Sequence, residues 1–136
     1  MLLPTAWLAQ ADHDPDRAAN WLVRSGRALL PVGTQWDAVK VSAQQGRAAL
    51  ATGITGPVLR DAANCSTFFL VPPGTSKSWD VPDTICLGAG CWLTSPHPAT
   101  TAPPGPHWLQ PPDGRTLVRP SLLQAALTAP VPGATP

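Results

Sequence analysis

The sequence contains no glutamate and no tyrosine, and charged residues make up only 12% of its 136 positions. Its arginines and lysines are scattered along the chain, and the formal net charge is +1. A protein that binds the phosphate backbone of a nucleic acid on its own typically concentrates its Lys and Arg residues in a basic stripe or patch. The composition therefore argues against strong autonomous binding to nucleic acid.

Long apolar runs and an export signal are also lacking. No apolar segment approaches the roughly 20 residues that a helix needs to cross a bilayer. The N-terminus has no basic region, and Pro4 interrupts its short apolar run, so it does not resemble a secretory signal. Three cysteines, an odd number, give no disulfide framework. These observations predict a cytoplasmic protein with reduced thiols and no membrane partner.

The length of the chain leaves room for one domain. Residues 1–13 mix a proline with a polar stretch, and residues 129–136 form a proline-rich, low-complexity run. We therefore expect a flexible N-terminal segment over 1–13, a single domain over 14–128 and a disordered tail over 129–136.

Three segments carry helix signals, and we expect helices near 15–25, 43–52 and 120–128. Asp14 and Pro15 form an N-cap and first-turn pair, and Gly26 is suited to the left-handed conformation that ends a helix. Ser42 and Gln45 have the spacing of a capping box. Gly46 costs helix stability, which suggests a close approach to a sheet.

Short β-branched and aromatic runs between proline and glycine stops dominate the second half of the chain. They predict a mostly antiparallel sheet built chiefly from residues 56–110. With about three flanking helices, this is an α+β fold. Four of the six tryptophans lie in periodic segments and are predicted to belong to the core: Trp21, Trp36, Trp92 and Trp108.

A metal site would have to use Cys65, Cys86, Cys91 and His97. Structural zinc sites bring two close ligand pairs, whereas these residues are separated by twenty, four and five positions. A two-residue turn after Leu87 would place Cys86 and Cys91 on one face of a hairpin, and a three-residue turn would place them on opposite faces. Small buried cysteines in a sheet are the simpler interpretation.

Two other kinds of site have little support. The stretch from Gly74 to Ser78 follows a predicted strand, but it lacks the spacing of a P-loop and no helix follows it. A hydrolase needs an activated serine or cysteine beside a histidine. No G-x-S-x-G occurs, and the three histidines lie beside loops or prolines.

An ordered series of short motifs carries the one family resemblance. The series is "LLPVGTQWDAVKV", "GRAAL", "GPVLRD", "FFLVPPGTSKSW", "CLGAGCWL", "SPHP", "HWLQPPDG" and "LVRPSLLQAAL". It resembles short actinobacterial proteins described as bifunctional DNA primase/polymerase (Prim-Pol)-like, over about residues 15–127. The resemblance implies a primase-like fold, with an antiparallel sheet and flanking helices. It also implies two-metal nucleotidyl transfer, which uses two carboxylates at i and i+2 of one strand and a nearby histidine.

The sequence departs from that pattern at the residues that matter for catalysis. Asp37 is the only acid in its strand, Val39 stands at the i+2 position, and the strand histidine is missing before "FFLV". The resemblance thus implies a degenerate, non-catalytic module without a cofactor, in which Asp37 is a residual acidic site. Two alternatives stay open. One is an active enzyme whose acids converge only in the fold and hold Mg²⁺ or Mn²⁺. The other is a structural subunit of an unknown complex.

A binding surface for an unknown protein or a small ligand is predicted on Lys77, Trp79 and His97. Loops 72–80 and 96–106 emerge at the same end of the sheet if the strands between them are sequential antiparallel neighbours. Together they would offer a cation, an aromatic ring and a titratable ring. In the simpler alternative, Trp79 caps the core and His97 is solvated.

Overall fold

A computed structural model describes residues 3–128, so the predicted tail over 129–136 lies outside the described residues. Its helices are α1 Pro4–Ala9, α2 Pro15–Ser25, α3 Ala43–Leu50 and α4 Pro120–Thr128. Its strands are β1 Arg27–Pro31, β2 Asp37–Ser42, β3 Val58–Asp61, β4 Ser66–Val71, β5 Ile85–Leu87, β6 Trp92–Pro96 and β7 His107–Gln110. The predicted α+β class is confirmed. None of the helices within 3–128 is long and apolar enough to cross a membrane.

The strands form two antiparallel sheets. One has five strands in the order β5-β2-β4-β3-β7, and the other pairs β1 with β6. The predicted antiparallel character is confirmed. Four strands of the larger sheet lie within residues 56–110, so the sheet is built chiefly from that range, as predicted, and β2 is its one strand outside the range. One detail of the prediction is wrong. Strands β4, β5 and β6 are not sequential neighbours, because β2 separates β4 from β5 and β6 belongs to the smaller sheet.

The predicted helix ends are confirmed by their hydrogen bonds. Asp14 accepts a bond from the backbone N–H of Arg17, and Gly26 ends α2 with a φ of 78°. Ser42 and Gln45 exchange the two bonds of a capping box at the start of α3. These signals are local, which is why the sequence predicts them well.

The five-stranded sheet separates two hydrophobic clusters. Alternating side chains of its strands enter the first cluster, shared with α1, α2 and the two-stranded sheet; they include Ala38, Leu59, Phe68 and Leu70. The intervening side chains enter the second cluster, shared with α3 and α4; they include Val39, Val41, Phe69 and Val71. Every residue of β4 is buried because this central strand is covered on both faces.

The N-terminal segment differs from the flexible stretch predicted over 1–13. Pro4 begins α1 rather than interrupting an apolar run, because proline is well suited to the first turn of a helix. Leu8, Ala9 and Ala11 are buried in the first cluster. The polar residues that suggested flexibility follow this anchored helix.

The prediction of core tryptophans is wrong for two of the four residues. Trp36 and Trp108 are buried, as expected, but Trp21 and Trp92 are 42% and 54% exposed. Trp21 lies on the outer side of α2, where the Arg17 guanidinium sits 5.2 Å from its ring centroid. Trp92 lies on the two-stranded sheet, whose second face is not covered along its full length. Periodicity marks one face of an element but does not show whether that face is covered.

Candidate functional site

The candidate site centres on Asp37, the first residue of β2. Its side chain is 1% exposed and lies on the same face of the sheet as Val39. Oδ2 accepts hydrogen bonds from the backbone N–H groups of Gly74 at 3.0 Å and Ser76 at 2.9 Å. Oδ1 is buried and has no hydrogen-bond partner among residues 3–128. A single buried carboxylate is therefore held by one loop.

The loop after β4 is built to present those N–H groups. Gly74 adopts a φ of 92°, which glycine reaches without steric cost. The Thr75 hydroxyl donates to the carbonyl of Pro72 at 2.6 Å, and a short 3₁₀ turn over Thr75–Lys77 follows. Backbone N–H groups gathered in this way form an anion-binding concavity. The sequence of this loop lacks the spacing of a phosphate cradle, and in the structure the bound anion is the protein's own carboxylate.

A second turn lies against this loop. Strands β4 and β5 both run antiparallel to β2, so their C-terminal ends lie at the same end of the sheet as Asp37. Gly88, which follows β5, packs so closely against this loop that a Cβ there would displace the Ser76 hydroxyl. The site is thus enclosed by the start of β2 and by the two segments that leave β4 and β5.

Cys86 is the ionisable neighbour of Asp37. Burial and, as the smaller cause, the negative charge of Asp37 together raise the pKa of its thiol from 9.0 to about 12. The thiol is therefore protonated at neutral pH, whereas nucleophilic and metal-binding cysteines act as thiolates. Neither predicted arrangement of Cys86 and Cys91 across a hairpin occurs, because β5 and β6 belong to different sheets. All three cysteines are free thiols.

The other acids near the sheet do not converge on Asp37. Asp61 is a register partner of Ser66, which pairs with Ser42, so Asp61 lies level with the far end of β2. Five residues of strand separate that level from Asp37, a distance of about 16 Å. Asp83 also lies near the far end, since its carbonyl accepts a bond from Gln45. Within residues 3–128, no three His, Cys, Asp or Glu side chains form a group that could hold a metal ion.

The structure does not bring His97 to the loop that carries Lys77 and Trp79. Cys91, at the start of the smaller sheet's second strand, donates its N–H to Gly88 beside the Asp37 loop. His97 follows the other end of β6, where its N–H donates to the carbonyl of Gly26. The length of β6, about 16 Å, therefore separates His97 from that loop. The premise that placed loops 72–80 and 96–106 together is wrong.

The three predicted residues have different local roles. Lys77 is exposed on the 3₁₀ turn. Trp79 packs against the second cluster, and its indole N–H donates to the Thr84 hydroxyl at 2.8 Å, so it covers the core. His97 accepts a bond through Nδ1 from the N–H of Ala99 at 3.0 Å. Trp79 and His97 thus each have a side-chain hydrogen-bond partner within five residues along the chain.

Sequence reasoning missed the role of Asp37 and the importance of Lys40. The signal for Asp37 was the proline-glycine stretch after β4, whose free N–H groups require an acceptor. Lys40 gave no signal, because its neighbours come from five other strands. It lies on the opposite face of β2, beside the exposed Trp92.

Comparison with known proteins adds no neighbour. The chain matches no protein-family model, and neither the curated proteins nor the solved structures give a match.

Proposed function

We propose that this chain is a small cytoplasmic module of the primase/polymerase-like kind that does not catalyse nucleotidyl transfer and acts by binding a protein or a small ligand. One observation carries the proposal: Asp37, the only acid of β2, accepts the backbone N–H groups of Gly74 and Ser76 through Oδ2. A carboxylate used as a loop anchor stabilises structure at the position where the resemblance implies a metal ligand.

The chemistry of the site supports this reading. Two-metal transfer needs several carboxylates that bridge ions about 4 Å apart, and Mg²⁺ and Mn²⁺ prefer such oxygen ligands. Val39 takes the place of the second acid and is buried in the second cluster. The protonated thiol of Cys86 does not replace it as an oxygen ligand.

The proposal is tested by incubating the purified protein with a primed and an unprimed template, nucleotides, and Mg²⁺ or Mn²⁺. We expect no template-dependent incorporation. Asp37→Asn is the matched variant, because the amide keeps an oxygen for Gly74 and Ser76 but removes the charge that a metal needs. Incorporation by the wild type that Asp37→Asn abolishes would show that the module is an active enzyme.

One observation favours that second candidate function. Oδ1 of Asp37 is buried without a partner among the described residues, and a cation is one group that satisfies such an oxygen. Paramagnetic broadening by Mn²⁺ distinguishes the candidates without an activity assay. Selective broadening of the Gly74 and Ser76 amide signals in the wild type, lost in Asp37→Asn, supports the enzyme. Their persistence supports the non-catalytic module.

A further inference from the structure

A groove of about 320 Å³ lies between the two-stranded sheet and the face of the larger sheet that is opposite to Asp37. Three large apolar side chains on its walls are exposed to solvent: Leu29 at 50%, Ile85 at 58% and Trp92 at 54%. Single exposed apolar residues are ordinary, but several that converge on one concave surface indicate a binding site.

Strand register explains why these side chains meet. One row of register partners crosses β5, β2, β4 and β3 and forms the groove floor. In that strand order the row is Ile85, Lys40, Phe68 and Leu59. On the smaller sheet, Leu29 pairs with Thr94 and Pro31 pairs with Trp92, which places these four on one face. The groove lies where that face meets the row.

Lys40 supplies the charge of the groove. Its side chain is exposed and forms no ion pair within residues 3–128. The ion pairs there join Asp12 to His13 and to Arg17. Asp61 lies at the groove rim, and its Oδ2 accepts a bond from Asn64 at 2.7 Å. The groove floor therefore carries a cation that forms no ion pair with a carboxylate of residues 3–128, and Asp61 also lines the groove.

We propose that this groove binds a small amphipathic anion, an aromatic ring system that bears one sulfonate, carboxylate or phosphate group. The ring packs against Trp92 and Ile85, and the anionic group pairs with the Lys40 ammonium. Ligand sites are typically mostly apolar clefts of about 300 Å³ or more with a few polar groups that fix orientation. This site lies on the other face of the sheet from Asp37, so it goes beyond the proposed function and stands whether or not the chain is an enzyme.

A cation beside an exposed aromatic ring distinguishes this groove from the groove that α4 lines. The groove between α4 and residues 52–55 has a similar volume, about 340 Å³, but no charged side chain lines it. Nothing there selects one class of ligand over another. The groove that Lys40 shares with Trp92 combines an aromatic face with a cation, and this pair defines the ligand.

Anilinonaphthalene sulfonate and its uncharged analogue phenylnaphthylamine are suitable probes, because they share an aromatic body and differ in the anionic group. We expect the sulfonate to bind the wild type saturably at one site. Lys40→Gln should weaken its binding about five- to tenfold, as expected for the loss of one charge-assisted contact. Binding of the uncharged probe should change less than twofold. Lys40→Arg should retain most of the sulfonate affinity.

Matched controls use exposed residues outside the groove. Lys77→Gln removes the only other lysine and should leave both affinities unchanged. Trp92→Ala should weaken both probes about tenfold, whereas Trp21→Ala, at the other exposed tryptophan, should not. Asp61→Asn should strengthen binding of the sulfonate. Near-ultraviolet circular dichroism checks that each variant keeps native packing, since partly unfolded states also bind the sulfonate.

The proposal is overturned if Lys40→Gln and Lys77→Gln bind the sulfonate equally well, or if Trp92→Ala binds both probes like the wild type. It is also overturned if the natively packed wild type shows no saturable binding of the sulfonate. If Lys40→Gln alters packing as well as charge, Lys40→Arg separates the two effects, because arginine keeps the positive charge on a long side chain. A loss of affinity confined to the charged probe, and rescued by arginine, supports the assignment of Lys40.

Discussion

Asp37 combines a carboxylate with almost complete burial, an arrangement that is costly unless hydrogen bonds offset the loss of hydration. The N–H groups of Gly74 and Ser76 provide those bonds at Oδ2. The same carboxylate influences Cys86, whose thiol stays protonated partly because of the nearby negative charge. One residue thus fixes a loop and contributes to the raised pKa of its neighbour.

Replacing Asp37 with alanine should destabilise the fold by about 1–3 kcal/mol, because two N–H groups lose their acceptor. Asp37→Asn should cost less, since its amide oxygen still accepts a bond. Urea denaturation measures the stability, and hydrogen exchange should show faster exchange at Gly74 and Ser76. Asp80→Ala, an exposed acid of the same loop, is the control. Unchanged protection of both amides in Asp37→Ala would contradict the anchor role.

The Cys86 thiol predicts how stability depends on alkaline pH. Its pKa in the folded state, about 12, lies above the ordinary value of 9.0. The folded state therefore holds this proton more tightly than the unfolded state, so the contribution is present below pH 9 and is lost as pH rises toward 12. Stability should fall across that window, and Cys86→Ala should flatten the fall.

The same residue can be followed directly through its thiolate absorbance. Asp37→Asn should lower the pKa of Cys86, because it removes the charge that contributes to the shift. A thiol reagent should modify the exposed Cys65 in the native protein well before Cys86. Equal rates for these two thiols, or a Cys86 pKa that does not respond to Asp37→Asn, would contradict this account.

At the scale of single elements, local signals predicted well and pairing signals did not. The caps of α2 and α3 are fixed by residues within a few positions of each other. The order of the strands depends on which distant runs meet, and alternation carries no information about partners. Sequence order therefore predicts the three-residue strand β5 as an antiparallel neighbour of β4, whereas it pairs with β2. The premise that loops 72–80 and 96–106 meet is wrong for the same reason, since it depended on neighbouring strands.

Gly46 is an element-scale prediction that the structure supports. A Cβ at this position of α3 would lie 2.7–2.9 Å from side-chain atoms of Thr67 on β4. Helix propensity favours Gly46→Ala by about 1 kcal/mol, but Thr67 is short, β-branched and buried, so it cannot move away. We expect a net loss of about 1–3 kcal/mol from overpacking, measured by urea denaturation.

Thr67→Ala provides the matched test of that contact. It removes two of the three colliding atoms, and the hydroxyl it deletes has no hydrogen-bond partner among the described residues. A double-mutant cycle should show that Gly46→Ala costs less in the Thr67→Ala background. If the two variants are additive, or if Gly46→Ala is stabilising, then α3 does not pack closely against β4.

At the scale of the whole molecule, the five-stranded sheet contributes side chains to both hydrophobic clusters, one on each of its faces. Phe68 and Leu70 point into the first cluster, and Phe69 and Val71 point into the second. Loss of packing on one face of the sheet therefore destabilises β4, which also contributes side chains to the cluster on the other face. This arrangement predicts that both clusters unfold together.

The N-terminal helix provides the test of that coupling. Leu8 is fully buried in the first cluster, so Leu8→Ala should cost about 2–5 kcal/mol. Leu3→Ala, at the exposed position just before α1, should change stability by less than about 0.5 kcal/mol. The transition of Leu8→Ala followed by far-ultraviolet circular dichroism should coincide with that followed by amide signals of α3 and α4. If the second cluster instead stays folded after the first has unfolded, the shared sheet does not couple them, and α1 is an appendage that stabilises only its own side.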